Sequence, residues 1–415
     1  MPRIGHLGPL RWPSADFLLS EGTGTQYALH RPMNFAPSSE QETALDAFRR
    51  IVEAEVRPVA ERYREELIPK DVMQATLCKL LPFGMGNGLV AEELGGMGLS
   101  PTTVGLLFEE LAKVSPDVAI LVLLQLEVGL LLADADEGLR ESHLAPLLRG
   151  EAIASIAISE PEAGSNIAEM RCQARRDGDD FLLSGEKQWI SNGHYSDFCI
   201  CVAQVVSDEG RTEGLALFVV DRDHGYQSSN IPKMALNSQS TAQLFFDDVR
   251  VPSCNLLAPP GQGMKRLATL LQGSRPLVGL IATAISQVAL DASIRYAGER
   301  KQHGREIAGH QLIQARIADM SIQLDAARLL VYRALDRIER GERSDLESAK
   351  AKLFATEAAV EITRHALAIH GGNGVTTEFG IEELYRIAPI LSVTEGTPEM
   401  QKLIIGRGLL GVSAF

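Results

Sequence analysis

The sequence predicts an α+β multidomain chain: an N-terminal α-helical domain, a central antiparallel β-barrel or sandwich, and a C-terminal four-helix bundle. Two changes of texture carry this reading. Near Ala152 the helical spacing of apolar residues gives way to short alternating runs, and after Gly261-Gln262-Gly263 it returns and stays. The length of 415 residues agrees, being too great for one hydrophobic core and enough for two or three domains. The divisions are a tail over 1–37, a helical domain over 38–150, a β domain over 151–262 and a bundle over 263–415.

In the tail, Gly, Pro and Ser occur with little periodicity and without the apolar stretch of a signal peptide. It reads as a tail or docking arm, with a transit peptide as the alternative. Glu40 to Glu66 reads as helix, with Leu45, Phe48, Ile51, Val52 and Val56 on one face. Asp71 is placed to cap the next helix, and Gly-rich turns follow at Gly84 to Gly88 and Gly95 to Gly98. Ser100-Pro101 is an N-cap with proline at the first helical position. Pro116 ends that helix before an apolar run from Val118 to Ala133, which Gln125 and Glu127 interrupt. The run therefore predicts a buried helix and no membrane span.

Ala154 to Ile158 reads as a strand, and Arg171 to Arg176 and Phe181 to Ile190 flank the hairpin signal Asp177-Gly178. Phe198 to Val206, Gly214 to Val220 and Ala242 to Val251 complete about half a dozen strands without helical spacers. Met264 to Glu299 is one long helical pattern, disturbed near its start by Gly273 and Pro276. His310 to Gly341 and Ser344 to Ile369 follow, and Gly371-Gly372 forms a C-cap. Thr397 is an N-cap and Pro398 opens the last helix, which completes the bundle.

Composition excludes several functions. A net charge of -14 and a pI near 5.2 disfavour nucleic-acid and anionic-membrane binding. Cys78, Cys172, Cys199, Cys201 and Cys254 form no CxxC pair and read as reduced thiols of a cytoplasmic protein. No metal-ligand set stands out among the 9 histidines. No GxGxxG follows a strand in a βαβ unit, which argues against a Rossmann nucleotide site.

Glu395 has the most favourable address for chemistry. It lies two residues before the Thr397 cap, where the helix dipole favours its anion and burial would oppose it, so it reads as a general base or an ordinary loop carboxylate. The loop around Ser159 and Ser165 is a surface turn or a place where backbone amides approach a ligand. Trp189 with Ser191 is a core tryptophan beside a turn serine, or a stacking partner for a planar heterocycle. Arg300 lies in a basic connection, solvated or contacting phosphate.

Taken together, the motifs resemble the acyl-CoA dehydrogenase family over nearly the whole chain. They are Ser159-Glu160-Pro161-x-Ala163-Gly164-Ser165, Gly185-Glu186-Lys187-x-Trp189-Ile190-Ser191-Asn192-Gly193, Ser274-Arg275-Pro276, Glu299-Arg300-Lys301-x-x-Gly304, Gly371-Gly372-Asn373-Gly374 and Glu395-Gly396-Thr397. The resemblance implies FAD bound between the β domain and the bundle, in a homotetramer or homodimer. It implies that Ile158, Ser159, Trp189 and Ser191 surround the flavin ring, with Thr397 also on the cofactor. Arg300 and the Gly371-Gly372 turn would reach the cofactor of a neighbouring subunit, and His303 and Gln311 would also bind the cofactor. Ser165, Ser274, Arg275, Thr394 and Gly396 would lie along the substrate, an acyl thioester of coenzyme A or an acyl carrier protein.

Glu395 matches the family's catalytic base, which removes the α-proton while the β-hydride passes to flavin N5. The electrons would then go to an electron-transferring flavoprotein. Some branches carry the base on the helix that includes Ser274, and a serine cannot do that work, leaving Glu395 as the candidate. Thr394, His303, Ala368 and Ile387 depart from common family residues. The C-terminal end, Ile405 to Phe415, resembles the glutaryl-CoA branch, whose substrate-binding arginine is matched here by Ala119. An apolar or branched acyl chain is therefore expected. A flavin oxidase or N-oxygenase, and a flavin-free scaffold subunit, remain as alternatives.

Overall fold

The computed structural model describes residues 36–413 apart from Asp208. Residues 1–35 of the tail, together with Ala414 and Phe415, lie outside the described residues.

Helix α1 (Ser39–Ile51) begins with a capping box between Ser38 and Gln41. A π-helical turn carries it into α2 (Arg57–Arg62), so the expected helix to Glu66 stops early. α3 (Lys70–Leu80) has Pro69, not Asp71, at its cap position; Asp71 sits inside the first turn, where its charge meets the dipole. Ser100 and Ser115 cap α4 (Pro101–Val114) and α5 (Pro116–Ala133) through their hydroxyls. The short turns α6 (Glu137–Leu139) and α7 (Ala145–Leu148) close this part. α5 is apolar on every side and buried on nearly every side, as a central core helix must be. α5 and a later helix, Gly263–Glu299, are long and apolar enough to cross a membrane, but 78% and 72% of those stretches are buried inside the protein.

Eight strands form one sheet: β1 (Ala154–Ala157), β2 (Gln173–Asp177), β3 (Asp180–Ser191), β4 (Phe198–Val206), β5 (Thr212–Asp221), β6 (Gln227–Asn230), β7 (Thr241–Val251) and β8 (Leu256–Ala258). Their order is β6-β7-β3-β2-β4-β5-β8, with β1 also on β4. The ladder ends at β6 and β8. One correction to the antiparallel barrel or sandwich follows: β4 runs parallel to both β1 and β2, while the other pairs of this sheet are antiparallel. The parallel pairs arise because β1 and β2 abut successive stretches of β4, Ala154 opposite Phe198 and Gln173 opposite Gln204, with residues 158–172 looping between them.

α8 (Gly263–Glu299) runs unbroken through Pro276, so the expected disturbance is absent. The basic connection folds as a hairpin of β9 (Lys301–Gln302) and β10 (Arg305–Glu306) around His303 and Gly304, both at positive φ. α9 (Gln311–Glu339) and α10 (Asp345–His370) pack with α8 and with each other. α11 (Ile381–Val393) packs on α8 and α10, and α12 (Pro398–Leu410) packs on α10. The bundle's fourth partner on α8 and α10 is thus α11, a helix the sequence reading did not include.

Buried Glu109 of α4 fixes the N-terminal helices to the bundle. It accepts hydrogen bonds from Arg328 at 2.9 Å, Tyr332 at 2.9 Å and Thr283 at 3.0 Å. A carboxylate satisfied on both oxygens by α8 and α9 holds the walls of the cavity that lies between these helices.

Candidate active site

The loop after α11 turns on two successive residues at positive φ, Glu395 at 56° and Gly396 at 96°. That conformation costs a non-glycine residue about 1–2 kcal/mol, so the surroundings must enforce it. Lys352 of α10 donates to the carbonyls of Ser392 at 2.5 Å and Gly396 at 2.8 Å. Gln401 of α12 donates to the carbonyls of Glu395 at 3.1 Å and Gly396 at 3.0 Å, and Arg275 of α8 reaches the Glu395 carbonyl at 3.3 Å. Thr397 caps α12 by accepting from the Met400 amide at 3.4 Å. Lys352 and Gln401 were not legible as site residues, since each acts through tertiary contacts alone.

The Glu395 side chain is half-buried, and Ser274 Oγ donates to its Oε2 at 3.0 Å. Burial pushes its pKa above the ordinary 4.5, while the Ser274 hydrogen bond and the charges of Arg275 and Lys352 pull it back. Burial also lowers Lys352, to about 8. Ser274 therefore sits in contact with Glu395 rather than merely near the substrate path.

Beside Ser274 opens a cavity of about 150 Å³ between α4, α5, α8 and α9. Val104, Leu126, Leu130, Leu270 and Leu277 give it an apolar wall, and Glu127 is its one ionisable lining residue among those described. The family resemblance matched the substrate-facing position of α5 to Ala119, whereas Leu126, Glu127 and Leu130 line the cavity. An all-apolar helix carries no moment to reveal which side faces what. Only the interruption of the run by Glu127 marked the position.

The β domain builds a second cluster. Lys187 is fully buried and donates to Glu160 at 2.8 Å and to the Ile158 carbonyl at 3.0 Å. Glu160 also accepts from the backbone amides of Arg171 at 2.6 Å and Cys172 at 2.9 Å. The Gln188 amide then donates to the Ser159 carbonyl at 2.8 Å, joining the loop after β1 to β3. Alternation along β3 would put Trp189 on the buried side with Lys187. A register shift between Lys187 and Ile190 reverses the phase, and Trp189, at φ 64°, is 57% exposed. The core-tryptophan alternative is thereby removed. Ser191 lies two residues on, paired with Thr241 of β7, and Ser165 is exposed on the loop after β1.

A third group gathers at the far end of α8. Arg300, His303 and Gln311 are exposed there. Tyr296 ties them to the end of α10, stacking on His370 at 4.3 Å and donating to its carbonyl at 3.3 Å. Gly371 and Gly372 are exposed at that end, and the φ of 59° with ψ of -132° at Gly371 suits only glycine. Ser274 and Arg300 lie on one helix, about 39 Å apart at its usual rise. Within one protomer this third group does not meet the Glu395 site.

Profiles for the N-terminal, middle and C-terminal domains of acyl-CoA dehydrogenase match residues 38–151, 155–249 and 261–410. The chain belongs to the acyl-CoA dehydrogenase family. It is a flavoprotein oxidoreductase acting on CH–CH groups of acyl thioesters, with FAD as its cofactor. Among relatives, the probable acyl-CoA dehydrogenase fadE25 of Mycobacterium bovis is 35% identical over 91% of this chain and 97% of its own. The butyryl-CoA dehydrogenase of Megasphaera elsdenii has a similar structure, with a TM-score of 0.85 and 29% identity over 91% of this chain and 100% of its own. The FAD complex of PigA matches with a TM-score of 0.85 and 26% identity, over 91% of this chain and 100% of its own.

Proposed function

We propose that the chain dehydrogenates a short acyl thioester at its α and β carbons, with Glu395 as the base. The observation that carries this reading is the Glu395 carboxylate, presented by a loop whose backbone is fixed by contacts from α8, α10 and α12 and linked through Ser274 to an apolar cavity. An α-proton beside a thioester is weakly acidic, so its removal needs an aimed anion and a donor on the carbonyl oxygen. Glu395 supplies the anion through its side chain and the donor through its backbone amide. FAD, when bound, supplies the acceptor for the β-hydride.

The cofactor residues fit that group. An exposed indole at Trp189, with Ile158, Ser159 and Ser191 close to it along β3 and the loop after β1, offers a flat apolar face with hydroxyls near its edge for the ring, and Thr397 would also lie on the cofactor. Arg300, His303, Gln311, Gly371 and Gly372 would serve the FAD of a neighbouring subunit, because α8 holds them so far from Ser274. Exposed Leu312, Ile322 and Leu329 on α9 support a homodimer or homotetramer. Ser165, Arg275, Thr394 and Gly396 would line the thioester.

A cavity of about 150 Å³ accepts roughly a benzene-sized group, which points to a short apolar or branched acyl chain. A dicarboxylic chain would bring a charge into an apolar cavity whose lining holds no cation among the described residues, and is disfavoured. Coenzyme A is the carrier we assign, with an acyl carrier protein as the variant, and an electron-transferring flavoprotein as acceptor in a cytoplasmic enzyme.

Anaerobic mixing of the FAD-loaded protein with short acyl-CoA thioesters tests the reading: loss of yellow colour with formation of 2-enoyl-CoA is expected, and retained colour with all of them would refute it. The pH profile of that bleaching should rise with pH, since only the anionic base works. Its midpoint should lie above the ordinary 4.5, because burial raises Glu395. A midpoint at or below 4.5 would contradict the assignment.

A further inference from the structure

Glu127 occupies a wall of the acyl cavity and leaves an oxygen without a partner. Its side chain comes from α5, is 4% exposed, and its Oε1 makes no hydrogen bond. Around it the cavity wall is leucine: Leu126, Leu130, Leu270 and Leu277. A buried, unsatisfied carboxyl oxygen destabilises a fold, and a leucine would fill this space without that cost. A ligand that brings a donor offsets it.

The position along the chain is also defined. Ser274, whose hydroxyl donates to Glu395, lines the same cavity as Glu127, and burial together with the nearby Glu395 charge pushes the Glu127 carboxyl well above its ordinary value. An acyl chain whose reacting carbons lie at Glu395 and which continues past Ser274 into this cavity would therefore run beside Glu127.

We propose that Glu127 is a specificity-determining residue, selecting an acyl chain that carries a hydrogen-bond donor, a hydroxyl or an amine, on its γ or δ carbon. The inference rests on the dehydrogenase reading and deepens it by naming the substrate class. A donor there satisfies Oε1; a plain hydrocarbon leaves it unpaired, and a carboxylate would enter a leucine-lined space without a counter-ion. The small, otherwise apolar cavity admits the rest of such a chain.

The test compares pentanoyl-CoA with 4-hydroxypentanoyl-, 5-hydroxypentanoyl- and 5-aminopentanoyl-CoA, freshly prepared, on the FAD-loaded wild type, Glu127→Leu and Glu127→Gln. The wild type should favour at least one donor-bearing thioester over pentanoyl-CoA by about tenfold or more in kcat/KM. Glu127→Leu should melt at a higher temperature and reverse that order. Glu127→Gln, whose amide oxygen still accepts, should keep a preference for hydroxyl but lose one for amine, which separates the two donors. If the leucine variant does not fold, the wild-type and glutamine ratios decide. Equal use of pentanoyl-CoA by the wild type, or an unchanged ratio in Glu127→Leu, would overturn the inference while leaving the dehydrogenase reading standing. No bleaching by any of the four would overturn both.

Discussion

Glu395→Gln should retain FAD and the native fold yet slow anaerobic bleaching by acyl-CoA roughly 10²- to 10⁴-fold, the usual contribution of a positioned base. The two expectations are separable because the loop is not held by the carboxylate. Lys352, Gln401 and Arg275 all bond to carbonyl oxygens of residues 392, 395 and 396. The amide oxygen of glutamine can still accept from Ser274. The substitution therefore removes basicity and leaves shape. Stopped-flow absorbance of the flavin measures it, and bleaching at the wild-type rate would remove Glu395 from the chemistry.

Lys187→Met should cost about 3–5 kcal/mol of stability, the range for breaking a buried ion pair on one side. Lys187 is fully buried, and its loss leaves Glu160 and the Ile158 carbonyl without their shared donor. The Arg171 and Cys172 amides still hold Glu160, but they do not neutralise it. The loop carrying Ser159 should loosen with it, so FAD should be released at lower denaturant concentration than in the wild type. Adding Glu160→Gln should recover part of the loss by removing the stranded charge. Denaturation followed by flavin fluorescence checks both effects; an unchanged midpoint in the single variant would show that the pair does not hold the loop.

The parts of this fold that were legible in the sequence are those set by local chemistry. Ser100-Pro101 and Thr397-Pro398 start helices where their caps predict, and Asp177-Gly178 turns between β2 and β3. α11 was missed because Pro389 and Gly380 argue locally against a helix, although packing on α8 and α10 sustains one. β6 and β8 were missed because they are short, and β6 is wholly polar; only pairing with β7 and β5 makes them strands. The parallel partners of β4 come from chain segments far apart in sequence, and no local pattern records that.

The site divides in the same way. Glu395 stood out by its place before a cap, which alone left it a general base or an ordinary loop carboxylate; the family resemblance pointed to the base. Trp189 was ambiguous because a register shift, invisible in the alternation, decides which way it faces. Glu127 was visible only as a break in an apolar run. Its meaning depends on Ser274, Leu270 and Leu277, which reach the same cavity from α8.

The central claim is that proton removal at the α-carbon and hydride loss at the β-carbon occur in one site organised by Glu395. Deuterium placed separately at C2 and C3 of a short acyl-CoA that bleaches the enzyme tests it most directly. The account predicts that anaerobic bleaching slows with deuterium at either carbon in the wild type. Bleaching insensitive to deuterium at C2, under conditions where deuterium at C3 slows it, would contradict a role for Glu395 as the base in the step that reduces the flavin.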